Sequence, residues 1–132
     1  MADYDIPDDL RYSREDEWVR REGDRVVIGI TDYAQQQLGD IVFVELPEVG
    51  SRIDRGESFG VVESVKAVSD LFAPMSGEVL DTNQSLADNP ESVNSDCYGD
   101  GWILAFALED ESEWEGLLDP SAYQKHVEER AD

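Results

Sequence analysis

Two β-type runs, Phe59-Gly60-Val61-Val62 and Val68-Ser69-Asp70-Leu71-Phe72-Ala73, converge on Lys66 from either side, and Gly56, Pro74 and Gly77 bound them as turn signals. Strands that meet in this way make a hairpin, with the amine of Lys66 at its tip. The flanks also match, Gly56-Glu57 on one side and Ser76-Gly77-Glu78 on the other, at similar distances from Lys66. Such a chain can fold as two similar β halves related by a pseudo-twofold axis, the lysine lying at their join. Lysine is scarce elsewhere: of ten basic residues eight are Arg, and only Lys66 and Lys125 are Lys. A position that holds a primary amine against that bias is expected to use its chemistry.

The remaining pattern is also mostly β. Glu17 to Arg21 and Arg25 to Ile30 read as strands joined across Glu22-Gly23-Asp24. Thr31 is placed to cap a short helix from Asp32 to Leu38, and Gly39 to end it. Ile41-Val42-Phe43-Val44 is apolar throughout, as a core strand would be. Pro47 to Gly56 is rich in turn residues, and a further strand is expected from Gly77 to Leu80. Asp81 to Asp100 is polar and interrupted by Pro90, which predicts a long surface loop; Trp102 to Leu108 then restores a buried strand. Ser112-Glu113-Trp114-Glu115 has capping-box spacing and Asp119-Pro120 is an N-cap followed by proline, so two short helices are expected to close the chain. The acidic stretch Met1 to Asp9 reads as a frayed tail.

Composition narrows the function. A chain of 132 residues suits one domain and leaves no room for a separate catalytic unit. Thirty-two acids against ten bases give a formal charge of −22, yet 40% of the residues are hydrophobic and patterned, so the acid belongs to the surface of a folded protein. With Arg in place of Lys, that surface points to a halophilic prokaryote, since the Debye length falls to about 3 Å at 1 M salt and self-repulsion fades. Nucleic-acid binding needs clustered bases and is not expected. No apolar run approaches the ~20 residues of a membrane span, the first nine residues are acidic where a targeting segment would be basic, and a single cysteine allows no internal disulfide. A cytoplasmic location follows as the expectation, with no membrane partner.

Glu63-Ser64-Val65-Lys66-Ala67 resembles the attachment motif of lipoyl-bearing proteins. Gly29-Ile30-Thr31-Asp32-Tyr33-Ala34-Gln35 and the run from Leu38 to Gly50 are similar to the H proteins of the glycine cleavage system, as are Glu17-Trp18-Val19, Pro74-Met75-Ser76-Gly77-Glu78-Val79 and Tyr98-Gly99-Asp100-Gly101-Trp102. The matches keep their order from about Tyr12 to Tyr123. The resemblance implies a lipoyl/biotinyl-type barrel-sandwich hybrid with short peripheral helices and a C-terminal helix. It implies one carrier domain over 1–132, divided into a tail (1–11), a β core with the lipoyl hairpin (12–110) and C-terminal helices (111–132). It also implies lipoate joined to Lys66 by an amide bond, and a shuttle that is not itself an enzyme. Glycine decarboxylase would load an aminomethyl group, aminomethyltransferase would remove it, and dihydrolipoyl dehydrogenase would collect the electrons. A lipoyl-attaching enzyme is the fourth implied partner.

In that reading Glu63 and Asp70 mark Lys66 for the attaching enzyme or line a cleft for the arm, and Glu17 supplies a cleft carboxylate that pairs with the carried amine. The competing reading of Glu17 is one more solvated acid among the thirty-two. Asp16 stands where the family more commonly has His. Two other carriers share the architecture: a lipoyl relay for 2-oxo-acid dehydrogenases, and a biotinyl carrier, whose motif places Met on both sides of the lysine where this chain has Val65 and Ala67. A Schiff-base lysine would need a desolvated site, whereas Glu63 and Asp70 favour the charged ammonium. An enzyme lacks its parts, since no Cys-His pair, phosphate loop or triad is evident. Trp18, Trp102 and Trp114 read as packing aromatics, His126 as a surface residue and Cys97 as a spectator. The acid pairs Asp8-Asp9 and Glu128-Glu129 lack the spacing of a calcium loop, so no metal is expected.

Overall fold

The computed structural model describes residues 4–130. After the two-residue strand β1 (Arg11–Tyr12), β2 (Glu17–Glu22) and β3 (Arg25–Ile30) form the expected hairpin, turned at Gly23 with φ +68°. In α1 (Asp32–Leu38), Ala34 N donates to Thr31 Oγ1 at 3.2 Å, and Gly39 closes the helix at φ +82°, a region that strains any residue with a Cβ. There follow β4 (Ile41–Glu45), β5 (Arg52–Ile53), β6 (Ser58–Ser64), β7 (Val68–Phe72) and β8 (Gly77–Thr82). A single turn of 3₁₀ helix (Gln84–Ala87) and α2 (Ser92–Ser95) lead to β9 (Leu104–Ala107), and α3 (Glu111–Glu115) and α4 (Pro120–Arg130) complete the fold.

The strands make two antiparallel sheets, one of six in the order β1-β2-β3-β9-β8-β5 and one of three in the order β4-β6-β7. The chain passes from the large sheet at β5 into the small sheet at β6, reverses at Lys66, and returns at β8, where Ile53 faces Gly77. Pairing therefore nests about the lysine. Gly60 lets β6 lie close to β4, since a Cβ there would stand 2.3 Å from the Glu45 carbonyl oxygen. Between the sheets Val19, Ile28, Val62, Leu71, Met75 and Phe106 are buried in one apolar core. A second cluster lies under α4, where Tyr123 and Val127 pack with Tyr12, Trp18 and Val27 and the Tyr12 and Tyr123 rings stack at 4.6 Å. Burying such a side chain contributes about 1.5–3 kcal/mol, which is what holds a helix of eleven residues to the sheet.

Five local expectations are corrected. Ile41 to Val44 is not buried throughout: Ile41 and Val44 face the core, but Val42 and Phe43 are exposed, because the pairing of β4 with β6 slips between Ile41 and Phe43. The stretch from Asp81 to Asp100 is not a plain surface loop: β8 runs on to Thr82, and Leu86, Val93 and Cys97 each turn inward and are buried. Asn94 ties this segment to the end of α1, donating to Gly39 O and accepting from Ile41 N at 2.9 and 2.8 Å. The last strand is shorter than Trp102 to Leu108, because Ile103 is buried beside β3 and the ladder with β8 begins only at Leu104. In α3 the cap is Asp110, which accepts from Ser112 N at 2.9 Å, so the helix starts ahead of the capping-box serine. Of the tail, residues 1–3 lie outside the described part. From Tyr4 to Asp9 the chain is held down: Tyr4 meets the Tyr33 ring edge-on at 5.0 Å, Asp5 N donates to Asp32 Oδ2, and Pro7 O accepts from Tyr12 OH. One aromatic contact and two hydrogen bonds fix the segment despite its acidic composition. The last two residues of the expected C-terminal helices, 131 and 132, also lie outside the description.

Candidate functional site

Lys66 is exposed in the turn between β6 and β7. Ser64 builds that turn, its Oγ accepting from Lys66 N at 3.2 Å and Ala67 N at 3.1 Å while its backbone N donates to Ala67 O at 2.8 Å. Val65 N donates to Asp40 O at 3.0 Å and so ties the tip to the end of α1. The Lys66 stem passes over Gly39: a methyl group on that glycine would stand 3.5 Å from Lys66 Cε. Reading the motif for its lysine alone missed Ser64, although a serine two residues before a turn position is itself a turn signal.

Beside this hairpin a cleft of about 200 Å³ opens between the start of β2, helix α1 and strands β6 and β7. Ala34 and Leu38 of α1 face Val62 and Leu71 across it, Glu17 lies within it, and Asp70 stands exposed at its rim. Glu17 is not one more solvated acid. It is 2% exposed, accepts from Ser13 Oγ at 2.6 Å, and reaches across to accept from Phe72 N at 3.3 Å. Burial pushes its carboxyl up to about 8, against the pull of those two hydrogen bonds. No cation pairs with it among the described residues, so a positively charged group entering the cleft would favour loss of its proton and gain a counterion that is held in place. The structure thus gathers Glu17 and Asp70 around one cleft. Glu63 lies elsewhere, facing Phe43 on one side and Val68 on the other.

Asp16 acts as an anchor. It adopts φ +72°, the one positive φ among the described non-glycine residues, which aspartate tolerates better than most. Its carboxylate accepts from Tyr123 OH at 2.9 Å and from both terminal nitrogens of Arg130, and its carbonyl accepts from Thr31 N at 3.0 Å. Tyr123 OH lies 2.7 Å from Thr31 Oγ1, the cap of α1. The end of α4, the turn before Glu17 and the start of α1 are therefore joined through one aspartate, and two of these form walls of the cleft. Arg130→Gln is expected to lower stability by about 1 kcal/mol, or roughly 3–5 °C in Tm, which thermal unfolding would register.

The other singled-out residues are structural. Trp18 is buried and donates to Cys97 O at 2.8 Å, while Arg11 and Arg21 lie 5.0 and 5.6 Å from the Trp114 ring. Trp102 packs half-buried against the cluster under α4. His126 Nε2 meets Arg14 O at 3.0 Å. Burial pushes the Cys97 thiol up to about 12, which leaves it unreactive. Among the described residues no helix is long and apolar enough to cross a membrane, and no three His, Cys, Asp or Glu side chains converge as a metal site.

The comparisons agree with this geometry. Residues 10–130 match the family described as glycine cleavage H-protein. The chain is 56% identical over 126 residues to the glycine cleavage system H protein of Anaeromyxobacter sp. (strain K), covering 96% of this chain and 98% of that one. It is 54% identical over 125 residues to the probable glycine cleavage system H protein of Haloarcula marismortui, covering 95% and 98%. A crystal structure of a glycine cleavage system H protein from Mycobacterium marinum superposes with a TM-score of 0.81 at 38% identity, covering 96% of this chain and all of that one. On the evidence of its sequence, its two sheets and its lysine hairpin, the chain belongs to the glycine cleavage H-protein family.

Proposed function

We propose that this protein is the lipoyl-bearing shuttle of the glycine cleavage system, with lipoate in amide linkage to Lys66. The observation that carries the reading is the pairing of an exposed amine on a braced hairpin with an adjacent cleft that holds a buried carboxyl. The lipoyl group supplies a disulfide that takes up and gives back an aminomethyl group and two electrons. The chain itself does the rest: the Ser64 turn fixes the pivot, Leu38 and Leu71 shield the cleft from water, and Glu17, giving up its proton as the ammonium enters, balances the carried charge. Asp70 and Glu63 flank the approach to Lys66 and are proposed to mark it for the attaching enzyme.

A tethered arm raises the concentration of its reactive end at whichever partner is docked, so one carrier can serve glycine decarboxylase, aminomethyltransferase and dihydrolipoyl dehydrogenase in turn. Reconstitution tests this. The lipoylated protein, mixed with those three enzymes, glycine, tetrahydrofolate and a two-electron acceptor for the dehydrogenase, is expected to support glycine cleavage at a rate that saturates with carrier. If it supports none, yet passes its lipoyl group to a 2-oxo-acid dehydrogenase, the relay reading replaces ours.

We further propose that 1–132 works as a single domain, that it resides in a reducing cytoplasm, as the lone cysteine suggests, and that its acidic surface is suited to concentrated salt. Self-repulsion at −22 predicts a Tm that climbs by about 10 °C or more between ~0.1 and ~2 M KCl as the charges are screened. A Tm that stays level or falls with salt would refute the salt adaptation without touching the carrier role.

A further inference from the structure

The described residues leave six large apolar side chains exposed: Val42, Phe43, Val49, Val65, Val68 and Leu80. In a chain so rich in acid, scattered positions would be unremarkable, but these are connected. Val65 and Val68, each 69% exposed, flank Lys66. Val68 faces Glu63 on β6, and Glu63 in turn faces Phe43 on β4. The pairing of β4 with β6 slips between Ile41 and Phe43, and this irregularity turns two consecutive side chains, Val42 and Phe43, outward together. Phe43 forms one lip of a groove of about 470 Å³ whose lining continues through Leu46 and Pro47 to Val49. The hydrogen bonds of Gly50 and Ser51 with Val79 set Leu80 beside that same turn. An apolar strip thus runs from the hairpin tip into a groove.

Its edges are of one sign. Glu63 lies between Val68 and Phe43, and Glu45 and Glu48 line the groove; none of the three has a basic partner among the described residues. The base on the strip is Lys66, whose charge disappears once its amine is an amide. A second copy of this chain would bring one charge of −22 against another, so the strip is ill suited to self-association. The complementary surface is an apolar ridge bordered by Lys or Arg.

We propose that this strip, from Val65 through Phe43 to Val49, is the surface on which an enzyme of the glycine cleavage system docks, by an apolar ridge with a basic border, while it handles the arm on Lys66. The inference rests on the carrier reading and adds to it the face and the chemistry of the contact. Apolar side chains at the centre of such a contact hold the complex together, and the acidic edge steers its approach.

The test uses the full-length lipoylated protein, with lipoylation confirmed by intact mass, and measures its affinity for each of the three purified enzymes. Phe43→Ser with Val49→Ser is expected to weaken at least one affinity roughly tenfold or more, whereas Phe43→Leu stays within about threefold of wild type. Glu45→Gln with Glu48→Gln is expected to weaken the same affinity at low salt and to flatten its salt dependence. Because these side chains are exposed, the variants should unfold at the wild-type temperature. Wild-type affinity of Phe43→Ser/Val49→Ser for all three enzymes overturns the docking surface and leaves the carrier role standing. Sedimentation of the wild type as a dimer that this variant breaks also overturns it, by making a second copy the occupant. A wild-type protein that binds none of the three removes the carrier reading, and the docking surface falls with it.

Discussion

Lys66→Arg is expected to yield a protein that folds normally and carries nothing. The guanidinium keeps the positive charge and much of the stem but is not acylated, and the side chain is exposed, so Tm should stay within about 1 °C of wild type. Intact mass of the protein from its native host should show the increment of one lipoyl group on the wild type, mapped to the peptide spanning Phe59 to Met75, and none on the variant. Glycine cleavage in the reconstituted system should fall to background rather than to a fraction, since no second lysine stands on a hairpin: Lys125 is on α4. An increment persisting in the variant would place the attachment elsewhere, and a biotin increment on Lys66 would move the protein to the carboxylase carriers.

Glu17→Gln should change both stability and protection, with a distinctive dependence on pH. The carboxyl is raised to about 8 in the folded protein from the ordinary 4.5 of a glutamate, because burial disfavours its charge. Between those values the folded state holds a proton that the unfolded chain has released, so stability falls as pH rises through the window and levels off above it. Each unit of pKa difference corresponds to about 1.4 kcal/mol. Glutamine preserves the shape without the titration. The variant should therefore match wild type near pH 4 to 5 and exceed it above pH 8, by several kcal/mol at most, in denaturant unfolding followed across pH. Function should move the other way, because the neutral amide cannot balance a carried ammonium. The loaded arm of the variant should release its aminomethyl group to water roughly tenfold faster or more. If the stability difference is flat from pH 5 to 8, the buried carboxyl does not titrate as described; if release is unchanged, the cleft does not guard the cargo.

Much of this arrangement was legible in the residues. The strand pair around Lys66, the cap at Thr31, the glycine stop at Gly39 and the proline start of α4 follow from local chemistry, in which each signal acts on its nearest neighbours. The burial of Glu17 was not, because no local pattern distinguishes one glutamate among thirty-two acids. Ser13 is only four positions away, but Phe72 and the apolar wall that excludes water reach Glu17 from the other sheet and from α1, through tertiary packing. Asp16 illustrates the same point. Its difference from the commoner His is visible at once, but its partners, Tyr123 and Arg130, lie more than a hundred positions away. The inward turns of Leu86, Val93 and Cys97 were hidden for another reason: they lie singly among polar residues, without the periodicity that reveals a buried face.

The hydrogen bond from Val65 to Asp40 fastens the hairpin tip to the end of the helix that walls the cleft. That bond couples the proposed pivot to a wall of the cleft. In the proposed cycle a group attached at Lys66 would pass between stowed and extended positions by rotations in its own chain, without needing a hinge in the protein. Release is then a competition between two hosts for one tethered guest. In the proposed cycle the next partner to act would be the one that holds the arm, in its current chemical state, more tightly than the cleft does.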